Sequence, residues 1–256
     1  MIKELWQYVS TATELPVAKE MGFLKEAISM EARTDRCQYE WGEHYQNCQR
    51  AILEAAARCL QKRTVLILGA GSLNDIPLGV LSSQFDRVIL VDLVFLKSAR
   101  RFAGQFDNVA LIEHDISESL SWISRGQPLV QTPQKWLNDD TVDLVISLNL
   151  ITQLPLIPAR WLINKFDLPE VDADVLGKQL IFAHLHYLRS FHGEVCLIAD
   201  RVGIDFDDEG NEIERFDPWW DVESPAIEES WEWELVPLGE EDRDKGQKNL
   251  VGVSTL

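Results

Sequence analysis

Thr64-Val-Leu-Ile-Leu-Gly-Ala-Gly71 is the stretch on which the architecture turns. An unbroken apolar run follows the threonine and stops at a glycine, the pattern of a short strand buried on both faces that enters a tight turn. Such a strand needs parallel neighbours, and the chain supplies them. Arg87-Val-Ile-Leu-Val-Asp92, Asn108-Val-Ala-Leu-Ile112, Val142-Asp-Leu-Val-Ile-Ser147 and Glu194-Val-Cys-Leu-Ile-Ala199 repeat the pattern. Between them helices are predicted at about 75–84, 95–106, 116–125 and 173–191, the second with Phe95, Ala99, Phe102 and Phe106 on one side. This alternation predicts right-handed crossovers and an open, mostly parallel, doubly wound α/β sheet. Trp231-Glu-Trp-Glu-Leu-Val236 and Asn249-Leu-Val-Gly-Val-Ser254, joined by a charged turn, predict an antiparallel hairpin that completes seven strands.

Upstream of Thr64 the period is helical. Cys37, Trp41, Tyr45, Cys48, Ile52, Ala55 and Cys59 recur every three or four residues and form one apolar stripe along 37–60. A shorter helical region covers about 16–32, so residues 1–62 read as a helical cap on an α/β domain of residues 63–256. Arg36, Glu40 and His44 make a polar row beside the stripe. Trp41 and His44 are therefore candidate substrate contacts on a cap over the strand ends. Gln153 and Trp161 are further candidates; the region 154–172 reads as a long loop that could form an apolar substrate wall.

The chain of 256 residues carries 24 basic and 42 acidic side chains, a net charge of −18. Most of that excess falls on residues 203–256, with 4 basic and 17 acidic groups, where Asp205-Phe-Asp-Asp-Glu209 and Glu240-Glu-Asp242 read as solvated loops. A phosphate backbone would be repelled, which disfavours a nucleic-acid partner. Four cysteines without a Cys-x-x-Cys or His/Cys ligand spacing predict neither a disulfide framework nor a metal site. No signal pattern opens the chain and no apolar run reaches ~18 residues, so no membrane association is expected and a cytoplasmic protein is.

Ligands of doubly wound sheets bind outside the carboxyl ends of the strands. There the first strand ends in Gly69, Ala70 and Gly71, where backbone can approach a ligand closely. Asp92 ends the second strand, 21 residues after Gly71, placed for two ribose hydroxyls. Asp115 follows the third strand, and Ser147-Leu148-Asn149 closes the fourth. A dinucleotide site asks for a third glycine where Asn74 stands, and a free helix N-terminus for its pyrophosphate. Asp75, expected at that helix N-terminus, would repel a diphosphate and accept a cation. The pattern therefore disfavours an NAD-linked oxidoreductase and favours S-adenosylmethionine, which carries a sulfonium, an ammonium and no phosphate.

Val65-Leu-Ile-Leu-Gly-Ala-Gly-Ser72, Val88-Ile-Leu-Val-Asp92, Asn108-Val-Ala-Leu-Ile-Glu-His-Asp115 and Asp143-Leu-Val-Ile-Ser-Leu-Asn149 resemble, in order and spacing, the motifs of class I S-adenosylmethionine-dependent methyltransferases. The terminal hairpin resembles the antiparallel end of that family's seven-stranded, Rossmann-like sheet, and the resemblance spans roughly 64–256. It implies that the Gly69 to Gly71 loop lies against the methionine part and that Asp92, with Leu93 beside it, takes the ribose. Asp115 and Ile116 would meet the adenine, while Leu148 and Asn149 would border the transferred methyl. The implied acceptor is a small molecule or a protein. Two positions depart from the pattern: Ile67 stands where the family carries an acid, and Leu73 where it carries a third glycine. Asp75 is then the candidate carboxylate for the ammonium. A non-catalytic binding protein on the same fold is the alternative that these departures support.

Overall fold

The computed structural model describes residues 2–256, and its centre is β1 (Thr64–Leu68), buried at every position. Parallel neighbours flank it: β2 (Arg87–Asp92) on one side and β4 (Val142–Leu148) on the other. With β3 (Val109–Glu113), β5 (Glu194–Asp207), β7 (Glu229–Val236) and β8 (Lys245–Thr255), the order is β3-β2-β1-β4-β5-β8-β7. The chain reverses direction of travel between β1 and β4, which makes the carboxyl ends of those two strands the switch point, the place where doubly wound sheets bind ligands. The antiparallel end is present, with β8 inserted between β5 and β7 and antiparallel to both. The α/β, mostly parallel doubly wound sheet is thus the observed architecture.

Four helices precede the sheet: α1 (Ile2–Ser10), α2 (Pro16–Glu20), α3 (Phe23–Arg36) and α4 (Gln38–Arg58). The apolar stripe of α4 lies directly on the sheet. Trp41, Cys48, Ile52 and Ala55 share one core with Val65, Ile67, Ile146, Ile198, Trp231 and Trp233. Alternate residues of the same strands, Leu66, Leu68, Val145 and Leu197, face the other side with Ile181, Leu185 and Leu188. Those last three belong to α9 (Glu170–Leu188). Each fully buried aliphatic side chain contributes about 1.5–3 kcal/mol, so covering both faces of the central strands dominates the fold's stability. Helices α2 and α3 pack beside this body, with Ala18, Leu24 and Ile28 against Val94 and Leu96. Glu113, at the end of β3, accepts the Glu14 N–H at 2.5 Å and pairs with Arg100, which ties the N-terminal helices to the strand ends.

Several boundaries differ from the sequence expectation, each for a local reason. The helix expected from 75 is α5 (Leu78–Gln84), with Pro77 at its N-cap. Proline disfavours helical backbone in the residue before it, so the helix cannot start earlier. Helices α6 (Lys97–Ala103) and α7 (Leu120–Ile123) are also shorter than expected. The supposed loop 154–172 contains α8 (Leu156–Phe166), which buries Ile157, Ala159 and Leu162. Its prolines, Pro155 and Pro158, sit at the N-cap and in the first turn, where a missing N–H costs nothing.

Past the expected end of the fifth strand, β5 continues to Asp207 and pairs with an unforeseen β6 (Glu212–Phe216), so the described residues hold eight strands rather than seven. All of β6 is exposed, and acidic side chains there are solvated without breaking the strand. Asp205 accordingly lies in a ladder opposite Glu214, not in a loop. Glu240 is likewise not free: its carboxylate accepts two bonds from Arg36 Nε, at 2.9 and 3.1 Å, pinning the β7–β8 turn onto the end of α3. No helix among the described residues is long and apolar enough to cross a membrane.

Candidate functional site

The glycine turn is stitched to the end of β2. Gly69 and Ala70 donate their N–H groups to Val91 O at 2.9 and 3.1 Å. Gly71 donates to Asp92 Oδ2 at 2.8 Å, and Leu93 donates to Asp92 Oδ1 at 2.7 Å. Gly69 has a left-handed backbone (φ +83°), and a Cβ there would meet Leu148 O at 2.6 Å, so only glycine lets the turn rest on β4. At Gly71 a Cβ would meet only Asp92 Oδ2, at 3.9 Å, which leaves space beside the carboxylate. Burial pushes the Asp92 carboxyl above its ordinary range. Leu73 keeps a glycine-like backbone, φ 68°, with its side chain buried in the α4 core. The departure at this position is therefore one of side chain and not of chain path.

Asp75 is not a helix-terminus residue, contrary to expectation, because α5 begins only at Leu78. It lies in the turn before Pro77 with its carboxyl directed toward α4 and β4. Asn149 Nδ2 donates to Asp75 Oδ2 at 3.2 Å. Burial pushes the Asp75 carboxyl up to about 6, with the nearby Asp92 charge acting the same way.

Helix α4 presents His44 and Cys48, one turn apart, to this spot. Trp231 Nε1 donates to His44 Nδ1 at 3.1 Å, and Trp233 stacks on the imidazole with ring centroids 3.9 Å apart. An indole nitrogen can only donate, so His44 is neutral with its proton on Nε2. Burial acts in the same direction and pulls the imidazole down to about 3. His44, Cys48 and Asp75 bring their ligand atoms within 4.8 Å of one another, a grouping that no linear spacing displays. With Nε2 protonated, His44 faces the group as a donor and not as a metal ligand.

The same tautomer leaves Asn149 frustrated. Its amide nitrogen lies 3.2 Å from His44 Nε2, donor against donor, while Asn149 Oδ1 is buried with no partner. Turning the amide satisfies His44 but sets two oxygens together unless Asp75 holds a proton. Either orientation leaves one polar atom of Asn149 for a ligand to meet. Asn149 itself is positioned by a left-handed backbone, φ 47°, and by its N–H, which donates to Ile198 O at 2.9 Å.

A second acid completes the cluster and was not anticipated. Asp200 follows Cys196 and Ile198 on the α4 side of β5, just past the end of β4, and is 6% exposed. Thr152 and Asn249 stand beside it and favour its charged form, but burial outweighs them and raises its carboxyl to about 6. Asp200 Oδ1 and Thr152 Oγ1 are both buried without a hydrogen-bond partner. An acid closing a strand, the signal at Asp92 and Asp115, is equally present in Ala199-Asp200, where the fifth strand is expected to end.

Other candidates have structural employment. Trp41 Nε1 donates to Glu234 O at 3.1 Å and its ring meets Trp233 edge-on, bracing α4 against β7. Trp161 Nε1 donates to Ser124 O at 3.3 Å, and its ring lies under Lys165. Gln153 is exposed. Asp115 accepts the N–H groups of Ser117 and Leu120, at 3.0 and 2.8 Å, and the Ser117 hydroxyl, so its carboxylate shapes the entry to α7. Ile116 and Leu148 are buried, and Leu93 is half-buried between the sheet and the N-terminal helices.

No protein-family model matches the chain, and no curated protein matches it. Among solved structures it is similar to the N-methyltransferase NodS from Bradyrhizobium japonicum WM9 in complex with S-adenosyl-L-homocysteine, at 10% identity over 84% of this chain and 88% of that one, TM-score 0.40. It is also similar to the 1,6-didemethyltoxoflavin-N1-methyltransferase of Burkholderia thailandensis with bound S-adenosylhomocysteine, at 15% identity over 90% and 88%, TM-score 0.38. A third is DhpI in complex with SAH, at 14% identity over 91% and 95%, TM-score 0.39.

Proposed function

We propose that the chain is an S-adenosylmethionine-dependent methyltransferase whose cofactor lies across the Gly69 to Gly71 turn. The observation that carries this reading is a pair of half-buried carboxylates, Asp75 and Asp92, that feel each other's charge and form no ion pair among the described residues. Two acids without an ion-pair partner beside an open glycine turn suit a ligand with positive charge and a vicinal diol. Asp92 and Leu93 would hold the ribose, Asp75 the ammonium, and Ile116 the adenine face. When bound, S-adenosylmethionine supplies an already activated methyl group. The protein's contribution is then to align the acceptor and exclude water, with Leu148 and Asn149 bordering the methyl. A general base is needed only where the acceptor has a proton to lose.

An NAD site loses further support, for a reason other than the one the sequence suggested. No helix N-terminus backs the glycine turn, because residues 72–77 intervene before α5. The four cysteines are buried and unpaired, which suits a reducing compartment such as the cytoplasm.

Calorimetric titration with S-adenosylmethionine and S-adenosylhomocysteine tests the proposal. Binding at micromolar concentration is expected. Asp92→Asn should weaken it by about 1.5–3 kcal/mol, the worth of a charge-assisted bond. Absence of binding in wild-type protein ends this reading.

A further inference from the structure

The polar cluster holds two separated carboxylates, and the proposed cofactor accounts for only one. Asp75 lies on the glycine-turn side of Asn149. Asp200 lies on the β5 side, with Thr152 and Asn249. Asn249, Thr152 and the charge of Arg201 favour the ionised form of Asp200, but none of them closes an ion pair with it. His44 is held neutral by the Trp231 N–H. Arg201, the next residue, is carried away by the bulge between Asp200 and Val202: its guanidinium donates to Ser254 Oγ at 2.9 Å and lies over the Trp219 ring. No ion pair of Asp200 occurs among the described residues.

Two further atoms point to a missing ligand. Asp200 Oδ1 and Thr152 Oγ1 are unpartnered, in residues 6% and 4% exposed. Thr152 stands near enough to favour the charged carboxylate, yet neither atom closes a hydrogen bond, which leaves the pair acceptor capacity that a donor can meet. The surroundings restrict what that is. In the antiparallel register Trp231 stands opposite Val251, itself opposite Asp200, and Trp233 stands opposite Asn249. An acid set beside the apolar Val251 suits a cation carried on an apolar body.

We infer that Asp200, Thr152 and Asn249, beside the apolar Val251, form the acceptor subsite, and that it takes an amine attached to an apolar or aromatic group, which enters as the ammonium and yields its proton to the Asp200 carboxylate before its nitrogen accepts the methyl. As an acceptor site this rests on the methyltransferase reading; as an amine site it stands without it. Asn149 lies between the two acids, so the amine would approach the edge of the cofactor site that Leu148 and Asn149 border.

Benzylammonium is the probe, with benzyl alcohol and benzoate as its neutral and anionic counterparts, each titrated calorimetrically with and without S-adenosylhomocysteine. Wild-type protein should prefer benzylammonium to benzyl alcohol by about tenfold or more, the worth of one charge-assisted contact. Asp200→Asn should abolish that preference and leave S-adenosylhomocysteine affinity within about twofold. Asp75→Asn should do the reverse. Thr152→Val keeps the test open if Asp200→Asn does not fold, and should weaken benzylammonium by about threefold or more. Equal binding of the alcohol and the ammonium, no ammonium binding, or unchanged preference in Asp200→Asn overturns the inference. Loss of S-adenosylhomocysteine binding with the amine preference intact would overturn the cofactor proposal instead.

Discussion

The indole N–H of Trp231 donates to Nδ1 of His44 across 3.1 Å, between residues 187 positions apart in the chain. That single contact sets where the imidazole proton resides and thereby keeps a cation out of the acidic cluster. In Trp231→Phe the buried Nδ1 loses its donor, and a cost of about 1–3 kcal/mol in urea unfolding is expected. Nitrogen-15 spectra should show the Nε2-protonated form in wild-type protein and a shift toward the other tautomer in the variant. An unchanged His44 spectrum would count against the assignment.

On the proposed reading, Asp75 would make cofactor affinity pH-dependent. Its carboxyl is raised to about 6, and a cationic ligand binds the ionised form, so protons and ligand compete below that value. S-adenosylhomocysteine affinity should be level above about pH 7 and fall toward tenfold per unit as pH drops below about 6. In Asp75→Asn the affinity should be weak and flat in this window. Calorimetry across the range decides it.

Asp200 should oppose folding when ionised. Its folded-state value, about 6, lies above the ordinary 3.8, so its contribution to stability is fully present below the lower value and lost as pH rises through the higher one. Asp200→Asn removes the charge without changing shape. At about pH 8 the variant should be more stable than wild type by up to about 3 kcal/mol, and at about pH 3.5 the two should converge. Paired denaturant titrations read this difference, and a destabilised variant at the higher pH would contradict it.

Glu113 anchors the N-terminal helices through the Glu14 N–H and Arg100. Glu113→Gln leaves one end of that contact uncharged and should cost about 2–3 kcal/mol. Because the linkage runs to residues between α1 and α2, that region should open first. Limited proteolysis should cut there faster in the variant while the sheet core stays intact.

Much of the fold was legible because its signals are local. The apolar run of β1 predicts burial on both faces, and every one of its positions is buried. The stripe from Trp41 to Ala55 predicts a helix with one covered face, and α4 is that helix. Gly69 and Asp92 were marked by their places at strand ends, and they meet there through the glycine turn. Errors arose where one residue redirected its neighbours or where charge hid a pattern. Pro77 delayed α5 and moved Asp75 from a helix end into a half-buried turn. The acidic residues of β5 and β6 masked a strand pair whose exposed faces tolerate charge.

Periodicity and turn chemistry, which act over a few residues, were enough for the sequence by itself to determine the parallel strands β1 to β5, the terminal antiparallel pair and their buried faces. Only the tertiary structure decided that His44 of α4, Asp75 of a turn, Asn149 after β4, Asp200 of β5 and Trp231 of β7 share one desolvated space. The physical reason is that a proton's position and a carboxylate's charge depend on burial and on partners brought from distant segments. Those quantities come into being only when the sheet is assembled and α4 is laid across it.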